Sequence, residues 1–336
     1  MNSGETKKSG MKGKILRFVI SFAAIGLIVY FMRDKLHESM AILRHEVVWG
    51  WFAASIVGYF IGLAILAVRL QWVFRVQDIH MTFRECYHLG FVGLFYNLML
   101  PSAVGGDVVK AVYAYKHSGK KIESATSIML DRLLGFVATI LMACIGLIYF
   151  SKEVESAYID WAVYGALGVL VFLIIFFASR RFARIFKWLA QLIPSKKLKI
   201  QLAEIYHAIY GYRHHQGPVF VAVLLSFVGQ AVFITTNYWL AVSLGADINF
   251  WKFFILIPVI SIVSMAPSIG GLGVREASVL YLFSRYLSPE RALALTLLMD
   301  IVIYSFSIGS GIWYAFRGGL KKKVLDEMDL MQSTKE

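Results

Sequence analysis

Residues 101–110 read PSAVGGDVVK, and residues 267–276 read PSIGGLGVRE. Each stretch opens Pro-Ser, passes apolar sequence, reaches a Gly-Gly pair and ends on charge. Each is embedded in a long apolar run. The likeness continues downstream, where ATSIMLD ends at Asp131 and ALTLLMD ends at Asp300. Broken, charged helices that recur inside apolar sequence are the pattern of a membrane transporter built from two related halves.

Composition agrees with that reading. Of 336 residues, 58% are hydrophobic and 16% charged, against roughly 45–50% and about 25% in an ordinary globular domain. The excess comes in runs that approach or exceed the roughly 20 apolar residues of a membrane helix. The expected fold class is therefore an all-α polytopic integral membrane protein, and the absence of strand alternation argues against a β-barrel. The first run, Ile15–Met32, follows a basic leader and has no small-x-small cleavage site before Arg33, so it reads as an uncleaved span. A net charge of +13 would suggest nucleic acid in a soluble protein. Here the basic residues lie in loops beside spans, as the positive-inside rule requires, and no nucleic-acid partner is expected. Cys86 and Cys144, the only cysteines, have no partner in an oxidising loop, so neither a disulfide nor a zinc site is predicted.

Loop charge sets the topology. Confident spans are Ile15–Met32, Val48–Val68, Leu133–Phe150, Trp161–Ala178, Val219–Leu244 and Leu293–Phe316. The leader, Arg69–Arg84, Lys116–Lys121, Arg180–Arg213 and Arg317–Lys323 are basic and read as cytoplasmic. Ser151–Asp160 and Ala246–Asn249 read as outside. Leu89–Tyr115, broken at Pro101 and Gly105-Gly106, must then enter and leave on the cytoplasmic side. Phe250–Phe283, broken at Pro267 and Gly270–Gly273, does the same from outside. The result is an inverted-topology repeat with two re-entrant helical hairpins. Residues 1–150 form the first repeat, with its hairpin at about 89–115. Residues 151–217 hold the first span of the second repeat and a basic linker of interfacial helices. Residues 218–316 complete that repeat, with a hairpin at about 250–283, and 317–336 form a cytoplasmic tail. Both termini are expected in the cytoplasm, with the chain in the cell membrane.

A charge at the centre of a span costs about 2.5–3.5 kcal/mol on insertion scales, so the charges inside these runs stand out. Hairpin one carries Asp107 and Lys110; hairpin two carries Arg275 and Glu276; Asp300 lies in the last span. Gly105-Gly106 and Gly270-Gly271, with Gly273, precede the second helix of each hairpin. A glycine turn opening a helix presents free N–H groups and the positive dipole end, and Lys110 or Arg275 one turn in would complete a phosphate site. The same glycines could simply form the hairpin tips, and the charges could simply pair with one another. Asn97 could satisfy amides freed at the Pro101 break or touch a headgroup. Pro101, Pro267 and the Asp131-Arg132 pair read as structural or gating positions, the latter as a snorkelling pair at the cytoplasmic boundary. Gly58 and Gly62 make a small-xxx-small face in the second span. No Walker lysine motif, dinucleotide fingerprint or metal-ligand spacing is present, so no cofactor and no metal are expected.

The series Asn97, Pro101, Gly105-Gly106-Asp107, Lys110, Asp131-Arg132 and Gly135, followed by Pro267, Gly270-Gly271, Gly273 and Arg275-Glu276, resembles the lysylphosphatidylglycerol synthase transmembrane-region family, also called the flippase-like domain family. The resemblance runs from about Ile15 to Phe316. The basic residue after the first Gly-Gly-Asp is often arginine in the family; Lys110 keeps the charge and loses the fork. In fused members a soluble synthase makes lysyl-phosphatidylglycerol and the membrane region is implied to flip it outward. No such synthase domain follows Phe316 here, so lysyltransferase activity is not expected to carry over. For a stand-alone member the resemblance implies a bacterial or archaeal cell membrane, dimers, and links to polar-lipid or glycosyl-carrier-lipid enzymes. It implies a lipid translocase for a phosphate-bearing lipid. A membrane enzyme acting on lipid-linked phosphate or sugar, a small-anion transporter and a non-catalytic partner of lipid-modifying or glycosyltransferase enzymes are the alternatives.

Overall fold

A computed structural model describes residues 37–99, 105–150, 212, 215–264 and 273–316, with a few helical positions between 161 and 171. The predicted spans Ile15–Met32 and, for the most part, Trp161–Ala178 lie outside the described residues. So do most of the linker Arg181–Arg213 and the tail 317–336. Every regular element among the described residues is helical. After helical residues 37–45 come α1 (Trp49–Val76), α2 (Phe83–Met99), α3 (Gly105–Ser118), α4 (Lys121–Phe150) and α5 (Gln216–Ser243). A 3-10 turn (Phe250–Lys252), α6 (Phe253–Val263), α7 (Val274–Phe283) and α8 (Pro289–Phe316) follow.

The order long, short pair, long occurs twice: α1, α2–α3, α4, then α5, α6–α7, α8. The long helices α1, α4, α5 and α8 each contain a stretch long and apolar enough to cross a membrane. Trp51, Val57, Phe60 and Ile61 of α1, Ile148 of α4 and Phe220 and Leu224 of α5 are exposed. Apolar faces of that size suit lipid rather than water. The protein is thus an all-α, multi-pass membrane protein. The broken helices are shorter: α2 has 17 residues, α3 14, α6 11 and α7 10.

The starts of α2 and α4 and the end of α1 differ most from the sequence reading, for local reasons. Helix α2 begins at Phe83, ahead of Leu89, because Thr82 and Glu85 form a reciprocal cap. The Glu85 carboxylate accepts from Thr82 N at 2.7 Å, and Thr82 Oγ1 accepts weakly from Glu85 N at 3.4 Å, which is a capping box. Helix α1 runs on to Val76 past Arg69 because that arginine is neutralised inside the fold, and α4 starts at Lys121 for the corresponding reason at Asp131.

The chain forms two compact units, each drawing on both halves of the sequence. One comprises residues 48–90 and 113–262. In it α1 and α5 run antiparallel along their whole length. Val48 N donates to Ser243 O at one end. Near the other end Arg69 Nη1 donates to Ser226 Oγ. Between them glycines bring the axes together: Gly58 faces Thr236 and Trp239, Gly62 faces the Phe233 ring, and Gly229 faces Leu66. Small residues permit such approach where lipid supplies no hydrophobic drive. The small-xxx-small face of the second span is this seam. Helix α4 joins through Thr139, near Gln230, and through Gly146, which lies against Phe254 and Ile255. Tyr212 closes a core with Val73, Leu134 and Ala222, and its hydroxyl lies 2.9 Å from Ser127 Oγ.

The other unit comprises residues up to 47, 91–112 and from 263 onward. It gathers the inner parts of α2 and α3 with α7 and α8. Phe91 stacks on Phe306, and Gly311 faces the Phe95 ring, so the first arm of the broken pair lies along α8. Ser39 Oγ donates to Glu290 O at 2.9 Å, and Arg291 pairs with Glu46 at 3.0 Å.

Candidate functional site

The second unit brings the charges of both broken helix pairs into one body. Helix α3 opens at Gly105-Gly106, and the amide of Gly106 donates to Asn97 Oδ1 at 2.8 Å. Asn97 therefore satisfies an amide at the break, where no helical carbonyl is available. The backbones of α2 and α3 touch here: a side chain on Gly106 would meet the Gly93 carbonyl. Lys110, one turn into α3, lays its stem across Gly93. Its ammonium is 3.4 Å from Asp107 Oδ1, and both side chains are mostly buried. The spacing of three residues makes this a same-face pair.

Helix α7 opens at Gly273, whose φ of 84° suits glycine and few other residues. Glu276 reaches back from the third helical position, and its Oε2 accepts from Gly273 N at 2.5 Å. Its other oxygen accepts from Arg275 Nη2 at 2.9 Å. The same Nη2 donates to Asp300 Oδ1 of α8, and Tyr304 OH lies 3.5 Å away. The Tyr304 ring also faces the guanidinium, 5.6 Å from its carbon. Arg275, Glu276 and Asp300 all have side chains less than a fifth exposed. One cation therefore serves two carboxylates in a buried setting.

Asp131 and Arg132 separate. Asp131 is buried and bidentate to Arg69 of α1, with Nε–Oδ1 2.7 Å and Nη2–Oδ2 2.9 Å. Arg132 lies over the Phe136 ring. The snorkelling pair expected from their adjacency is thus replaced, for Asp131, by an ion pair across helices inside the other unit. Gly270, Gly271, Pro101 and Pro267 lie outside the described residues. The sequence reading takes Arg69 only as the first residue of a basic loop, whereas it lies buried within α1, and it does not single out Tyr304. Arg69 does carry a signal, since apolar residues Leu70, Val73 and Phe74 continue beyond it. Tyr304 carries a weaker one, one helical turn after Asp300. Among the described residues no group of three or more His, Cys, Asp or Glu is arranged to hold a metal ion.

Chemically the arrangement offers glycine-led helix starts, a lysine and an arginine for anions, and three acids that compensate them. Curated relatives of similar length have the same kind of name. The UPF0104 membrane protein PH1989 of Pyrococcus horikoshii is 24% identical over 76% of this chain and 82% of its own. The UPF0104 membrane protein MJ1595 of Methanocaldococcus jannaschii is 23% identical over 87% and 91%. A UPF0104 membrane protein of Methanothermobacter thermautotrophicus is 24% identical over 82% and 88%. The model of the lysylphosphatidylglycerol synthase TM region matches residues 14–311, and the chain belongs to that family.

Proposed function

We propose that this protein is a lipid translocase for a phosphate-bearing lipid, such as a modified phospholipid or a polyprenyl-phosphate carrier. The observation that carries the reading is the opening of α3. A Gly-Gly helix start with Lys110 one turn in lies in the same compact unit as the Arg275 cluster of α7 and α8. A phosphate head would lie against the helix start and the two cations, with its tails left in the bilayer. Asp107, Glu276 and Asp300 would balance the charge while the site is empty. The two broken pairs act as re-entrant hairpins of an inverted repeat, and rocking of one half against the other alternates access. The protein works in the cell membrane with both termini in the cytoplasm. A second copy or a lipid-modifying or glycosyltransferase enzyme serves as its partner.

The test is reconstitution in liposomes, following labelled phospholipids and a labelled polyprenyl-phosphate between leaflets. The protein moves one class, and Lys110→Ala with Arg275→Ala abolishes the movement. Because that change leaves Glu276 and Asp300 without their cation, Arg275→Lys is measured beside it. It keeps the charge and loses the bidentate fork, and movement falls about tenfold, equivalent to about 1.4 kcal/mol. Normal transport by the folded double variant overturns the site. No movement of any lipid by folded protein turns the reading to a membrane enzyme or an assembly partner.

A further inference from the structure

The first arms of the two broken pairs carry a helix-weakening residue at nearly the same place. Gly90 lies in the middle of α2, eleven residues before Pro101, and Pro258 lies inside α6, nine residues before Pro267. A methyl on Gly90 would meet nothing within 4 Å, unlike one on Gly58, Gly62, Gly93 or Gly106. Close packing therefore does not account for glycine in place of alanine, and such a glycine leaves its helix easy to deform. Pro258 has no N–H to give the Phe254 carbonyl, which loses its helical donor. Gly146 of α4 lies against that carbonyl.

Both residues lie where the chain passes between the two compact units. Residue 90 belongs to one unit and residue 91 to the other, and the chain passes again between 262 and 263, within five residues of Pro258. The remaining crossings are between 47 and 48, just before α1, and between 112 and 113 in α3. The crossing in α3 is level with the one in α2. A single register runs along this pair, since Asn97 meets Gly106, Gly93 meets Lys110 and Glu85 meets His117, which sets Gly90 beside Tyr113. The tip of the pair is held within its unit by Asn97 and Lys110, and the base within the other by Glu85 and His117. Gly90 lies between the two holds.

We propose that Gly90 and Pro258 are paired hinges, and that the two compact units move against each other by bending α2 and α6 there. A few residues absorb the change in φ and ψ, and the packed parts on either side keep their contacts. Helix α3 follows by curving smoothly, and the crossing before α1 already lies outside a helix. The hinge stands on the helices and the unit boundaries. Its use, which is to open a lipid headgroup site to one membrane face and then the other, rests on the translocase reading.

Two measurements on the full chain test the hinge and its use separately. In nanodiscs, spin labels on Val57→Cys of α1 and Ile308→Cys of α8 read the motion by pulsed electron paramagnetic resonance, with Cys86→Ala and Cys144→Ala as background. Both labelled positions are exposed, one in each unit. The parent chain gives two distance populations. Alanine favours the straight α2 over the bent one, so Gly90→Ala shifts their ratio about four- to fivefold toward the straight form. Pro258→Ala restores a donor for Phe254 and shifts the ratio the same way; where it fails to fold, Gly90→Ala, which introduces no clash, decides. Gly309→Ala is the control. Its methyl also meets nothing within 4 Å, inside α8 and away from every crossing, so it raises the melting temperature as Gly90→Ala does and leaves the distances unchanged. One narrow population in the parent chain, an unshifted ratio in Gly90→Ala or an equal shift in Gly309→Ala overturns the hinge. In liposomes, Gly90→Ala slows movement of a labelled phospholipid about four- to fivefold, and Gly309→Ala leaves it at the parent rate. A shifted ratio with unchanged lipid movement leaves the hinge standing and overturns its use in transport. No movement of any lipid by folded protein overturns the translocase reading, and the distances alone then decide the hinge.

Discussion

At the scale of single residues, the Arg69–Asp131 pair and the Gly93–Gly106 contact behave in opposite ways. The ion pair is bidentate, buried and supported by Ser226. Removing one partner leaves an unpaired buried charge, which costs about 3–5 kcal/mol, whereas replacing both by apolar residues is often nearly neutral. Arg69→Ala is therefore expected to lower the thermal midpoint in detergent sharply, and Arg69→Met with Asp131→Leu to recover most of the loss. A double variant no more stable than the single one would show that the pair does more than neutralise itself. At the α2–α3 contact the neighbour decides the outcome. A methyl on Gly106 meets a carbonyl of Gly93 that cannot give way, and a methyl on Gly93 meets the flexible stem of Lys110. Gly106→Ala should destabilise by about 1–3 kcal/mol. Gly93→Ala should leave the melting temperature closer to wild type and slow lipid movement through the displaced lysine. Equal melting temperatures for the two variants would contradict this contact geometry.

At the scale of elements, the start of α2 is set by its cap and by what the cap touches. Glu85 accepts from Thr82 and lies 3.5 Å from His117 Nδ1, while His117 Nε2 is 3.0 Å from His80 O. Lys120 donates to the carbonyls of Gln77 and Asp78. The turn after α1 is thereby tied to the turn after α3. Hydrogen bonds from Thr82, first from its backbone amide, hold the Glu85 carboxyl below the usual carboxylate value. Its contribution is present above pH 4.5, the ordinary value, and is lost as pH falls through the lowered folded value. Because the side chain is largely exposed the effect is small, and Glu85→Gln should flatten this part of the acid limb of stability against pH. Thr82→Ala should cost about 1 kcal/mol, read as faster amide exchange at the first turn of α2. Unchanged exchange there would mean that tertiary contacts, and not the cap, fix the start.

At the scale of the whole molecule, much of the architecture was legible from apolar length and from one repeated motif. The glycine pairs at 105–106 and 270–271 and the charges after them announced the broken helices, because glycine and buried charge are rare inside spans for reasons that local sequence records. Helix α1 runs past Val68 and helix α4 begins before Leu133, which single windows do not announce because Arg69 and Asp131 look like membrane-edge charges when read singly. They neutralise each other across 62 residues of sequence, and no window along one helix contains both. Tyr304 escaped for the same reason: its role depends on the guanidinium of another helix. The inclusion of α7 and α8 with the inner parts of α2 and α3 in one unit likewise depends on long-range contacts that a linear repeat does not encode.

The ion pair that joins α1 to α4 also bears on how the chain is made. Arg69 enters the bilayer before its partner exists. At about 5–20 residues per second the ribosome needs about 3–12 s more to deliver Asp131, which lies 62 positions later. Ser226 lies 157 positions after the arginine, so about 8–31 s pass before it is delivered. During that interval the nascent helix must keep its guanidinium near the headgroups or be sheltered by the insertion machinery. Assembly of this protein is thus timed by translation, and synonymous changes that slow the stretch between the two codons would lengthen the exposure of a single cation.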